Sequence, residues 1–549
     1  MKTTKLFFMA ALALMTAACS NDDNDLTTQQ PAKAEGIPFT ATISLDQSAT
    51  TRALTENGTT IEATWATGEK VALIYTVSAT TYVEEAEVTP QGDGTATIST
   101  TLEGSPADDT DVTIVYPASA VDGTTKDVKT NLLASQNGLL TGPGSIAEKY
   151  ELRKTTTPAK LKIDGTTASL KGTVSLTNQF AIWKLTLNNS AKDLYITADG
   201  VLIAGATLAS PGTEFYVAVP AVDSKTVAAV ATDGSSNCWS FSKAGVSLVA
   251  GKYYQSSPTM AALGTESSAD VYKMTEAGTI PDGKTVVLSG VTISSGSIIC
   301  SGNANIILMG SNSVTAAANT AAIEIGGSGT TLTITGSGSL TVKGGNYAAA
   351  IGTGYANNAS VAGGNIEING GTITATGGQS SAAIGTGYAY HNGSSSNTCG
   401  TITINGGSVS ATGGAAAAGI GTASANGSSN ECGAITINGG TVTATGGLRS
   451  AAIGTGSANN SGSNKCGAIT ISTGVTSVTA TKGVNSPNII GKGNAVNSGT
   501  QTCGTITFGA AQVFDGSAWS PDPMTAGTHG GLNLAITNSD KTWTLTPAP

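Results

Sequence analysis

The 549-residue sequence is poor in charge: 11% of its residues are Asp, Glu, Lys or Arg, two are histidine, and 5% are aromatic. Chemistry that needs several imidazoles or a dense set of carboxylates has little material here. The formal charge of −10 argues against an extended phosphate-binding surface, so nucleic acid is not an expected partner. Apart from a short run near the start, no stretch approaches the ~20 apolar residues of a transmembrane helix. Glycine is abundant, at 71 residues, but has no three-residue period, which removes collagen. With 39% apolar residues, the chain is too hydrophobic to be wholly disordered.

Lys2 and Lys5 precede an apolar run at 6–15, after which Thr16, Ala17 and Ala18 lead into Cys19. This pattern predicts a secretory signal at 1–18. The position of Cys19 resembles a bacterial lipobox, which implies lipidation there and an outer-membrane anchor followed by a polar tether at 19–36. The segment SNDDND at 20–25 is similar to the acidic surface-export tag of Bacteroidetes lipoproteins and implies a cell-surface location.

Charge then divides the chain. Residues 1–300 carry 20 basic and 30 acidic groups, whereas 301–510 carry only Glu324, Lys343, Glu367, Glu431, Arg449, Lys465, Lys482 and Lys492. More than half of the glycines and a single proline, Pro487, fall in the second block. Two architectures are therefore expected. In the first, runs such as VALIYTV (71–77), FAIWKLTL (180–187) and EFYVAVP (214–220), separated by turn-rich stretches, predict a β-sandwich region at 37–257. The motifs TRA (51–53), Trp65 with Gly68-Glu69-Lys70-Val71, FYVAVP (215–220) and GKYY (251–254) resemble the fimbrillin-like proteins of Bacteroidales. That resemblance implies partnership with other fimbrial subunits by donor-strand addition, cleavage between Arg52 and Ala53, and 37–45 as the strand that would leave. A sheet lacking one strand exposes unpaired N–H and C=O groups that an added segment satisfies.

The second block repeats every 33–37 residues. Apolar pairs at Ile306/Leu308, Leu332/Ile334, Ile366/Ile368, Ile402/Ile404, Ile435/Ile437, Ile469/Ile471 and Ile506/Phe508 predict seven rungs of one ladder. A second ladder runs through Leu340/Val342, Ile373/Ala375, Val409/Ala411, Val442/Ala444 and Val478/Ala480, and a third through Ile351, Ile384, Ile420, Ile453 and Ile490. Three period-two strands per repeat predict a three-sided parallel β-helix over 265–510, roughly 30 Å long, in an all-β chain. Asn369, Asn405 and Asn438, each before Gly-Gly, are placed to exchange amide hydrogen bonds at a turn. Residues 511–549, with Trp519 and Trp543, are expected to cap the last coil or to supply a terminal strand.

GGTxTATGG and AAIGTG resemble the β-helix domains of secreted bacterial carbohydrate-binding proteins, which implies an acidic glycan ligand with calcium. The block contains no aspartate and three glutamates, few oxygen ligands for that ion. The same shortage predicts a non-enzyme, since glycoside cleavage needs two neighbouring carboxylates. Cys399, Cys432, Cys466 and Cys503 recur at one coil position, as a candidate disulfide ladder or a row of thiols. Tyr355 and Tyr388 each follow IGTG and should be neighbours at one corner. Together with Tyr390 and His391 they are candidate ligand contacts, because aromatic rings can platform a sugar. The outward Thr and Ser of the second ladder form a hydroxyl array. The expectation is a fimbrial tip or accessory adhesin whose rod meets a glycan or host surface, with a non-polymerising carbohydrate-binding lipoprotein as the alternative and a β-helix polysaccharide-degrading enzyme third.

Overall fold

The computed structural model describes residues 36–45, 55–57, 60–62 and 65–548, the last with short gaps at 93, 122–125, 127, 129–132, 134–135, 235–236, 266, 391–394 and 522. Cys19, Arg52, Ala53 and His391 lie outside the described residues.

Besides the two-stranded pair Thr55–Asn57 and Thr60–Glu62, the first region holds two large sheets with separate cores. Nine strands between Ile37–Leu45 and Val174–Asn178 form one sheet that closes on itself, because Ile37–Leu45 also pairs with Thr167–Leu170 and Asp111–Tyr116 with Arg153–Lys154. Ile37–Leu45 alternates strictly, turning Phe39, Ala41, Ile43 and Leu45 inward, as a period-two strand with one buried face must. The Trp65/Glu69 motif has a local role. Tyr116 Oη donates to Glu69 Oε1 at 2.9 Å, Ala66 N donates to Glu69 Oε2 at 3.0 Å, and the Trp65 ring meets Tyr116 edge-on at 5.4 Å.

The second sheet is built on two long strands, Ala181–Ala198 and Val201–Val219, flanked by Val222–Thr232, Cys238–Leu248 and Ala261–Ala262. The GKYY segment enters Tyr253–Ser256, which pairs in parallel with Ala181–Ala198. Beside it opens a cleft of about 530 Å³ lined by Trp183, Phe241, Val246, Leu248 and Tyr254.

The rod follows as a parallel β-helix. The third ladder stacks in the expected register, Ile351 on Ile384, Ile420, Ile453 and Ile490, all fully buried. The second ladder also keeps its register. Its outward Thr and Ser side chains are half-buried or exposed. The first ladder requires two corrections. Ile306 pairs with Ile334 rather than Leu332, and Leu308 with Gly336; a two-residue slip keeps every side chain on its face, so alternation alone cannot detect it. The ladder also has nine parallel rungs instead of seven, beginning at Val271–Met274 and Lys284–Ser289. Nine rungs span about 38 Å.

The register shows the coils widening. Equivalent residues of the first ladder run Tyr272, Val286, Ile306, Ile334 and Ile368, so successive coils hold 14, 20, 28 and 34 residues. The three-strand repeat is complete in the coil of 20. From residue 331 onward the extra chain forms two further short strands per coil, so the repeats carry five strands instead of three. These make two five-stranded ladders, from Ala356–Asn357 to Ala495–Val496 and from Ser360–Ala362 to Thr500–Cys503. They form an arm between the third side and the next coil.

The C-terminal residues close the rod. Thr542–Pro547 pairs antiparallel with Val475–Thr481, and Leu532–Thr537 extends the same sheet. Trp543 packs edge-on against Phe508 at 6.2 Å and Trp519 at 5.3 Å, covering the last apolar rung.

The second sheet is docked on the first coils. Tyr195, Val230 and Cys238 bury Val287, Ile307 and Met309, which project outward from the rod. Asp193, fully buried, accepts from Thr207 and Thr232 of its own sheet at 2.7 and 2.9 Å and from Ser337 Oγ of the rod at 2.8 Å.

Candidate functional site at the tyrosine corner

Each coil with an arm turns a tight corner around its third-ladder strand. The residue after IGTG or its counterpart donates its amide to a carbonyl in the preceding coil: Tyr355 to Asn319 at 3.1 Å, Tyr388 to Tyr347 at 2.9 Å, Ser424 to Ser380 at 2.9 Å, Ser457 to Ala416 at 3.0 Å and Asn494 to Arg449 at 2.7 Å. Most of these acceptors adopt the left-handed conformation, Tyr347 among them with φ 64°. The corner is thus a repeated backbone device that accepts Asn, Tyr, Ser, Ala or Arg. Tyrosine is not required for the coil to close.

In two successive coils the corner is nevertheless aromatic. Tyr355 and Tyr388 lie 5.9 Å apart with rings 3° from parallel. Tyr390, exposed on the arm, lies 6.0 Å from Tyr388. Tyr347 completes the group at 5.1 Å from Tyr355 and 5.4 Å from Tyr388. These four are all the tyrosines of residues 301–510. Burial among the rings pushes the Tyr355 and Tyr388 phenols above their usual value, with a hydrogen bond to Asn426 opposing the shift at Tyr388. Sequence reasoning missed Tyr347, which precedes the IGTG motif and joins the group only through the left-handed turn.

The corner is braced from the arm. Asn397 Nδ2 donates to Gly354 O at 2.8 Å and Gly387 O at 3.1 Å, the carbonyls just before Tyr355 and Tyr388. In later coils Asn430 donates to Ala423 O at 3.3 Å and Gln501 to Gly456 O at 2.7 Å, the equivalent carbonyls, and Asn430, Asn464 and Gln501 also bond the carbonyl of the corner residue itself, Ser424, Ser457 and Asn494. The repeated Asn or Gln two residues before each ladder cysteine carried this signal.

Glu324 stands on the coil below. Its neighbour along the third ladder is Gly352, and a Cβ placed on Gly354 would lie 3.7 Å from its Oε1. Burial raises its carboxyl above the usual carboxylate range, against the Ala321 amide that holds it down. Glu367 belongs to the first ladder, where Asn405 Nδ2 donates to it at 3.1 Å, and Glu431 pairs with Lys465 on the arm at 2.6 Å. The three glutamates of the block thus sit on three different ladders. Among the described residues no group of three or more His, Cys, Asp or Glu is arranged to hold a metal ion.

Two other expected rows take shape. Asn405 Nδ2 donates to Asn369 Oδ1 at 3.0 Å and Asn438 Nδ2 to Asn405 Oδ1 at 2.9 Å. Cys399, Cys432, Cys466 and Cys503 stack in register at the end of the arm, buried and with free thiols. Contact with Cys432, then burial, raises the Cys399 thiol, whereas contact with Cys466 lowers that of Cys503 at the other end.

The beta helix repeat family model matches residues 366–388, 402–424 and 435–457, the coils that carry Tyr388 and its two successors. No curated protein matches the chain. Among solved structures it is similar to a fimbrial protein from Bacteroides ovatus (12% identity, 41% of this chain and 49% of that one, TM-score 0.23). It is also similar to a fimbrial assembly protein from Parabacteroides distasonis (12%, 41% and 91%, 0.24) and to the tip fimbrial protein Mfa3 from Porphyromonas gingivalis (10%, 38% and 79%, 0.19). The chain spans about half the length of the first of these. At these TM-scores none of them bears on what this chain does.

Proposed function

We propose that the protein is a cell-surface adhesin of the fimbrial tip or accessory kind, lipid-anchored through Cys19, whose rigid rod presents the tyrosine corner to a glycan. The observation that carries this reading is the clustering of Tyr347, Tyr355, Tyr388 and Tyr390 where the next coils make the same turn with Ser and Asn. A ring cluster that the fold does not need, with apolar faces and hydroxyl edges, suits a sugar. The packing of the second sheet on the first coils favours a presenting role, because it holds the rod at a fixed attitude to its base. The placement of the three glutamates on separate ladders weighs against polysaccharide cleavage.

Assembly with other subunits enters the reading through Ile37–Leu45 and the cleft. Removal of that strand after cleavage at Arg52 would unpair eight residues of Thr95–Leu102 and open the core that Phe39 and Ile43 fill. The cleft beside Tyr253–Ser256 offers an apolar floor to an added strand. The present pairing of Ile37–Leu45 on both edges favours a second reading, a monomeric carbohydrate-binding lipoprotein. Recovery of protein beginning at Ala53 in sheared fimbriae supports assembly. Intact monomer that binds glycan saturably supports the second reading.

A further inference from the structure

We propose that Glu324 and the tyrosine corner form one subsite for a saccharide that bears no acidic group. This rests on the glycan reading above and adds what the site selects. Along the third ladder the outward position runs Ile299, Glu324, Gly352, Gly385 and Gly421. Glu324, half-buried, is therefore the last side chain before a column of glycines, and the next coil places no side chain beside it at that ladder position. Its carboxylate reaches over Gly354, the residue that positions Tyr355. The next coils place glycine at this position, so the ladder does not need a carboxylate there.

The charges around it leave the carboxylate uncompensated among the described residues. Lys343 points outward from the second ladder, Lys465 is engaged by Glu431 on the arm, and Arg449 occupies the equivalent of Tyr347 three coils on, about 14 Å along the rod. The Ala321 backbone amide beside it favours the charged form, and the several acceptor sites of a carboxylate leave capacity for a ligand. A hydroxyl or acetamido N–H of a sugar lying on the rings can donate to it, a charge-assisted bond of the stronger kind. A uronate or sialate would bring a second anion into a half-buried place without a cation, where repulsion is poorly screened.

The test is an array carrying neutral hexose and N-acetylhexosamine oligosaccharides beside uronate- and sialic-acid-bearing ones, probed with the full mature chain, Glu324→Gln and Tyr388→Ser. Thermal unfolding is followed for each, with Glu324→Ala as a second variant should Glu324→Gln lose stability. The expected result is saturable binding of neutral members only. Glu324→Gln should weaken that binding about tenfold, as loss of a hydrogen bond to a charged group does, and narrow the gap to acidic members, while Tyr388→Ser should abolish it. Acidic members bound as tightly as neutral ones, or Glu324→Gln binding like the parent, would overturn the subsite while a Tyr388→Ser loss keeps the glycan reading. Binding untouched by Tyr388→Ser, or no binding of any member, would overturn both.

Discussion

Tyr388 and Ser424 occupy the same place in successive coils: each donates its amide at 2.9 Å to a left-handed residue in the coil before it, Tyr347 in one case and Ser380 in the other. The backbone treats them alike, and only the side chain differs. Tyr388→Ser should therefore leave the unfolding transition within about 0.5–1.5 kcal/mol of the parent, the worth of the lost ring contacts. Calorimetry checks this, and a loss of several kcal/mol would make the rings part of the scaffold.

The interior of the rod should behave in the opposite way. Ile453 is fully buried between Ile420 and Ile490. Ile453→Ala is expected to cost about 2–5 kcal/mol, and Ile453→Asp to open the middle coils, because a charge placed there has no partner. Denaturant unfolding of the first variant and hydrogen exchange of the second read these effects.

At the junction, Asp193 accepts from three hydroxyls across two units. Asp193→Ala removes their common acceptor and should destabilise by about 1–3 kcal/mol. The junction should loosen with it, so that the second sheet and the rod melt in separate calorimetric steps. A variant that keeps a single unchanged transition would show that the apolar contact suffices.

The buried pair in the first region sets a pH dependence. Arg153 Nε lies 2.7 Å from Glu151 Oε1, both side chains 1% exposed, and burial outweighs the attraction of Arg153, pushing the Glu151 carboxyl up to about 8 with help from Glu69. The folded state then holds a proton that the unfolded state releases near 4.5. This contribution to stability is full below about 4.5 and declines as pH rises to about 8. Glu151→Gln should flatten the fall, as denaturant midpoints measured across that range will show.

Much of the rod was legible because its isoleucines recur at one coil position. Ile384, Ile420 and Ile453 could be aligned from spacing alone, and the asparagine row followed from its Gly-Gly turns. The slip at Ile306 was not legible, since alternation is blind to a shift of two. The first rungs, at Tyr272 and Val286, lacked the repeat because their coils are short. The arm strands hid in polar stretches whose buried asparagines look like loop residues. Tyr355 and Tyr388 could be paired through IGTG, but Tyr347 and Glu324 reach the corner from other parts of the coil and shared no motif with it.

The most direct test of the account compares the protein with its Tyr355→Ser/Tyr388→Ser double variant on immobilised neutral glycans, alongside their unfolding curves. The account predicts that the double variant folds as the parent does and no longer binds. Equal binding by both proteins would contradict it.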